Sequence, residues 1–124
     1  MIAVDTSSLV AYLGGGAGAD VQAVDLALSD GQACLPPVVL TELLSDPKLP
    51  KQVATILRQI PLLSISEGYW DRAGALRSKV TAHKRRARLA GSLIAQTCID
   101  YDVVLITRDS DFAAFAAYGG LKLV

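Results

Sequence analysis

Four acids fall where carboxylates can do chemistry. Asp5 directly follows the strand-like run IAV, Asp109 follows VVLIT by one residue, and Asp111 lies two further on. Glu42 stands among Val39, Leu40, Leu43 and Leu44, an awkward place for a charge unless that helix edge meets a polar site or solvent. In open α/β sheets, ligands bind beyond the carboxyl ends of the strands. If the strands preceding Asp5 and Asp109 are neighbours, the two acids converge. Carboxylates with no His or Cys beside them form a hard-oxygen site that suits Mg²⁺ or Mn²⁺. Such ions lower the pKa of bound water and offset charge on a phosphoryl group. A plainer reading stays open on spacing alone: Asp5 and Asp109 as helix caps, Glu42 as part of a solvated face.

Other chemistries fit less well. The single His83 lies in a basic stretch with no acid nearby to orient it toward a Ser or Cys nucleophile. Gly14, Gly15, Gly16 and Gly18 lack the GxxxxGK[ST] pattern of a phosphate loop and do not follow a strand. A phosphoaspartate enzyme would favour DxD after the first strand, where this chain has DTS. Cys34 and Cys98 sit in apolar contexts without zinc or disulfide-framework spacing and read as buried thiols.

The elements that must position these acids alternate. Strands are expected at the start of the chain and over 32–35, 62–65, 103–107 and 121–124. Helices are expected over 7–13, 20–29, from Pro36 and Pro37 through Leu44, and over 51–60, 67–83 and 89–100, with a short one stopped by Gly119 and Gly120. Strands separated by helices imply an α/β fold with a mainly parallel sheet and helices on both faces. Tyr12, Trp70 and Tyr101 are expected to be packing residues.

A length of 124 residues suits one domain, here expected over 1–124. Hydrophobic residues make up 52% and mean hydropathy is +0.39. No apolar run approaches the roughly 20 residues of a membrane span, and MIAVD lacks the pattern of a secretory signal, so a soluble cytoplasmic protein is expected. Lys plus Arg and Asp plus Glu each total 12, so net charge does not point to a polyanionic partner. Its distribution is more informative: KVTAHKRRAR carries Lys79, His83, Lys84, Arg85, Arg86 and Arg88 with no acid. Such a run is either a solvated turn or a phosphate-contacting patch.

Three segments, IAVDTSSLVAYL, LPPVVLTELLSD and LAGSLIAQTCIDYDVVLITRDSDF, together resemble PIN domains, in particular the VapC-type ribonuclease toxins of prokaryotic toxin–antitoxin pairs. The likeness runs along essentially the whole chain in order. It implies a three-layer α/β/α fold with a short sheet, and Mg²⁺- or Mn²⁺-dependent hydrolysis of RNA phosphodiesters. It also implies a homodimer and a cognate antitoxin protein. The first family acid matches Asp5, the second Glu42 and the fourth Asp109, with Asp111 as an alternative register. Thr6, Ser7 and Thr107 match supporting hydroxyl positions. Lys84, Arg85, Arg86 and Arg108 become candidates for guiding the RNA backbone.

The third family acid falls in a segment like LADALIA, which here reads LAGSLIA. Gly91 occupies the acid's place. Glycine neither favours helix nor binds a cation, so the resemblance implies a nuclease site that is inactive or weakened in this form. A catalytically silent binding module, engaging antitoxin or RNA without cleavage, is the alternative.

Overall fold

The computed structural model describes all 124 residues. Three short strands, β1 (Ile2–Val4), β2 (Ala33–Cys34) and β3 (Val104–Ile106), pair in parallel in the order β2-β1-β3. Parallel strands require crossover connections, and seven helices supply them: α1 (Thr6–Leu13), α2 (Ala19–Ser29), α3 (Pro37–Leu44), α4 (Lys51–Gln59), α5 (Tyr69–Ala82), α6 (Leu89–Tyr101) and α7 (Phe112–Gly119). The architecture is the expected three-layer α/β/α arrangement. Strand residues Ala3, Val4, Ala33, Cys34, Leu105 and Ile106 are all buried, which explains why the strands read as unbroken apolar runs rather than alternating ones. Helices α5, α6 and α7 pack on one another, while α1 packs against α2 and α3, and α3 against α4 and α6.

Two expected strands shrink to single bridges. Leu62 pairs with Leu35 beside β2, and Leu123 pairs with Leu105 beside β3. Each lies at an outer edge, and each is held by two backbone hydrogen bonds: Leu35 N–H to Pro61 and Leu63 N–H to Leu35 on one side, Leu105 N–H to Lys122 and Val124 N–H to Leu105 on the other. Exposure of Leu62, Ile65 and Leu123 leaves little burial to extend them. Helix α5 starts at Tyr69 rather than residue 67 because Gly68 adopts a left-handed φ of 79° that ends the preceding turn.

The packing expected of three aromatics is only partly met. Tyr12 packs against the core and its hydroxyl donates to Asp25. Trp70 is 63% exposed, and Tyr101 is exposed as well. It is Tyr69, next to Trp70, that is buried, donating from its hydroxyl to the Leu93 carbonyl. The helical period places Tyr69, Ala73, Leu76 and Val80 inward and rotates Trp70 out. Both cysteines are buried free thiols, as expected. No helix is long and apolar enough to cross a membrane.

Candidate active site

Strand order alone locates the site. The chain leaves β1 for β2 on one side and later returns to β3 on the other, so the crevice between β1 and β3 is the switch point where α/β sheets form ligand sites. Register then sets the residues: Val4 pairs with Ile106, and the next residues along, Asp5 and Thr107, emerge side by side. The Asp5 N–H donates to the Ile106 carbonyl at 2.9 Å, and Thr107 Oγ1 donates to Asp5 Oδ2 at 2.8 Å.

Asp5 is only 4% exposed. It occupies the N-cap position of α1 without making a side-chain cap bond. Its Oδ2 takes a second hydrogen bond from Ser7 Oγ at 2.7 Å, and burial of this carboxylate is therefore matched by two hydroxyl donors. Glu42, exposed on α3, accepts from Thr6 Oγ1 at 2.7 Å through Oε1. This bond ties the start of α1 to α3 and explains the acid among apolar neighbours. Asp109 Oδ1 accepts the Asp111 N–H at 2.9 Å, while the Asp109 N–H donates to Thr107 Oγ1 at 3.0 Å. The turn into α7 thus fixes Asp109, but not as a helix cap: the N-cap position is Asp111, and no side chain caps α7.

These groups share one pocket of about 270 Å³, lined by Asp5, Thr6, Ser7, Glu42, Asp109 and Asp111 together with Gly91, Arg88 and the apolar Ile94, Phe112 and Phe115. Residues from the end of β1, from α1, α3 and α6, and from α7 and the loop into it therefore meet. Gly91 is the third residue of α6, in the first turn rather than the helix interior. Protein hydrogen bonds fall on a single oxygen of Asp5, Glu42 and Asp109, leaving the other oxygen of each without a protein donor.

The acids expected to bind a metal line one pocket but do not form a metal cage. No group of three or more His, Cys, Asp or Glu side chains is placed to hold an ion. Mg²⁺, however, commonly takes one or two carboxylates from protein and fills the rest of its shell with water and substrate phosphate. The carboxylate and hydroxyl oxygens lining the pocket are donors of the kind such an ion takes, and they fall short of a protein-built cage.

The basic residues divide. Arg108 is taken up by structure: its Nε and Nη2 pair with Asp20 at 2.8 and 3.0 Å, and Nη2 also donates to the Ala17 carbonyl. Asp20, which also accepts from Ser8 Oγ, is held well below the usual carboxylate range by that guanidinium. The pair pins the glycine-rich loop before α2 and leaves Arg108 little to offer an RNA. Lys84, Arg85 and Arg86 are exposed on the α5–α6 loop. Arg86 and Arg88 both stand 3.9 Å from Asp111 Oδ2. Arg88, a pocket residue, belongs to the acid-free basic run over residues 79–88, which is the sequence signal for it. His83 stacks on Tyr118 at 4.0 Å with no acid partner, away from the acid pocket.

The PIN domain family matches the chain over residues 2–118. No curated protein matches it by sequence. Among solved structures, VapBC2 from Rickettsia felis bound to a DNA fragment from their promoter aligns with a TM-score of 0.77 at 20% identity, over 100% of this chain and 98% of that one. FitAB bound to an IR36 DNA fragment aligns at 0.73 and 20%, over 100% and 94%. VapBC-5 from Mycobacterium tuberculosis, of the VapBC family of toxin–antitoxin systems, aligns at 0.68 and 18%, over 99% and 96%. At these identities the likeness is one of fold.

Proposed function

Because the chain belongs to the PIN domain family, we propose that it is a single-domain toxin-type member of a toxin–antitoxin pair, built to hydrolyse RNA phosphodiesters with Mg²⁺ or Mn²⁺ and weakened in this form by Gly91. The observation that carries the reading is the single pocket at the ends of β1 and β3 that holds Asp5, Glu42, Asp109 and Asp111 beside Gly91. Its partners are a cognate antitoxin protein, an RNA and a second copy of the chain. The antitoxin rests on the VapBC and FitAB assemblies that share the fold.

Asp5, Asp109 and Glu42 would hold the ion, with Asp111 beside them. A divalent ion bound there supplies an activated water and offsets charge on the phosphate. The protein's own part is orientation. Ser7 and Thr107 fix Asp5, Thr6 fixes Glu42, and the turn into α7 fixes Asp109, so each carboxylate presents its remaining oxygen without rotating. Arg88 and the Lys84–Arg86 loop stand at the rim, where an RNA backbone would be neutralised. The apolar wall of Ile94, Phe112 and Phe115 keeps bulk water from one side.

The test is RNA cleavage by this chain and by Gly91→Asp, in parallel, with Mg²⁺ or Mn²⁺ and with EDTA. The Asp form is expected to cleave at least roughly tenfold faster, the scale on which metal-site residues act, and adding Asp5→Asn is expected to abolish the gain. Equal rates for the two forms would overturn the role given to position 91. A second reading, binding of RNA or antitoxin without cutting, is favoured by the lack of a three-ligand cluster. RNA binding by both forms with metal-dependent cleavage by neither would select it.

A further inference from the structure

A groove of about 780 Å³ lies between α5 and α6, outside the acid pocket. One wall is a single helical face of α5, with Trp70, Gly74, Arg77 and Thr81 one turn apart, and α6 supplies Leu89 and Ser92 opposite. Trp70 and Leu89 are 63% and 61% exposed, large apolar side chains left open to water. The indole packs edge-to-face with buried Tyr69, with ring centres 5.0 Å apart. Gly74 is exposed on that wall, and an added Cβ there would meet nothing within 4 Å.

The groove and the acid pocket are two sides of one helix turn. Leu89 and Ser92 face the groove, whereas Ala90, Gly91 and Ile94 line the acid pocket. The basic loop lies between them, and Arg77 Nε anchors it by donating to the Ala87 carbonyl at 2.8 Å. Arg77, Lys84 and Arg85 have no acid partner, and Arg86 and Arg88 reach only Asp111, at 3.9 Å.

We propose that this groove binds an unpaired base of a single-stranded RNA, stacked on Trp70, with its phosphates crossing the Lys84–Arg88 loop toward the acid pocket. This rests on the RNA reading above and names where the strand lies. An exposed aromatic face beside a row of cations is the arrangement that holds single-stranded nucleic acid. A second copy of the chain is disfavoured as occupant, because a two-fold contact centred here would bring two identical cationic loops together.

The chain has a single tryptophan, so intrinsic emission reports on the groove directly. Full-length protein is titrated with a single-stranded oligouridylate eight residues long in EDTA buffer, which separates binding from cleavage. Trp70 emission is expected to quench saturably, with affinity falling steeply as salt rises. By anisotropy of a labelled oligonucleotide, Trp70→Ala is expected to weaken binding by roughly fivefold or more, the scale of one base–aromatic stack. Gly74→Leu fills the groove from a helix position with free space, so it is expected to fold at least as well, keep its tryptophan, and lose the quench. Unchanged affinity in both variants overturns the groove while leaving RNA binding in place. An absence of RNA binding by the unmodified chain at low salt overturns both readings. Trp70 emission that follows protein concentration without RNA, together with a change of size in gel filtration, assigns the groove to self-association and overturns the proposal.

Discussion

Replacing Gly91 by alanine and by aspartate separates what position 91 does for the helix from what it does for the pocket. Gly91 has no positive φ, and an added Cβ would meet Phe115 Cε2 at 3.5 Å and Phe112 Cζ at 3.9 Å, ordinary contact distances. Alanine is therefore accommodated without movement. In the first turn of α6 its gain is about 0.5 kcal/mol, the lower end of the usual glycine-to-alanine range. Unfolding entropy of about 2.1 cal/mol/K per residue over 124 residues makes 1 kcal/mol equivalent to about 4 °C, so Gly91→Ala is expected to raise Tm by about 2 °C.

Aspartate at the same place gains about 0.3–1 kcal/mol from the positive end of the helix, but it enters a pocket that already holds Asp5, Glu42, Asp109 and Asp111. A like charge at roughly 8 Å opposes it by about 2 kcal/mol at an effective dielectric of about 20, and Arg88 offsets part of that. In EDTA, Gly91→Asp is thus expected to melt about 4–12 °C below Gly91→Ala, or about 1–3 kcal/mol. Mn²⁺ should close most of that gap or reverse it: at a hundred times Kd it adds about 2.7 kcal/mol, about 10 °C, to the Asp form and little to the other two. The assay is thermal unfolding of the three proteins in EDTA and across a Mn²⁺ titration. Equal responses to Mn²⁺ from the Ala and Asp forms, or equal Tm in EDTA, would refute the claim that residue 91 faces the carboxylates.

Two further outcomes follow from groups outside the pocket. Arg72 grips Asp100 through Nε and Nη2 at 2.9 and 2.7 Å, and Gln96 and Ser66 donate to the same carboxylate. Arg72 is partly exposed, which discounts the pair, so Asp100→Asn is expected to cost about 1–2 kcal/mol at neutral pH, read as a Tm loss of about 4–8 °C. The guanidinium holds the Asp100 carboxyl below its ordinary value. Its contribution is therefore complete above about pH 4 and is lost as pH falls through the lowered value, so the Tm difference between the two proteins should narrow on acidification; a gap that widens would contradict the assignment. Burial pushes the Cys98 thiol up to about 12 and raises Cys34 as well. Neither is expected to react with a thiol reagent at pH 8 in the folded protein, and both should react in denaturant; rapid reaction of the folded form would show that the core opens.

The sequence by itself determined the helices, the three paired strands, the parallel character of the sheet and the family, though it read two edge bridges as strands. Apolar strand runs, helical spacing and glycine stops depend only on neighbours along the chain, and the order of the three acidic segments survives in the text. It also showed that position 91 lacks an acid, because an absent side chain is legible without coordinates. Only the tertiary structure decided which residues meet. Register between β1 and β3 put Thr107 on Asp5, and packing of α1 against α3 gave Glu42 its Thr6 partner. The same packing took Arg108 out of the basic surface by pairing it with Asp20, and it opened a groove beside Trp70 where a packed aromatic was expected. Spacing along one strand or helix fixes which face a side chain occupies, but what that face meets depends on segments a hundred residues away, and no local pattern encodes that distance.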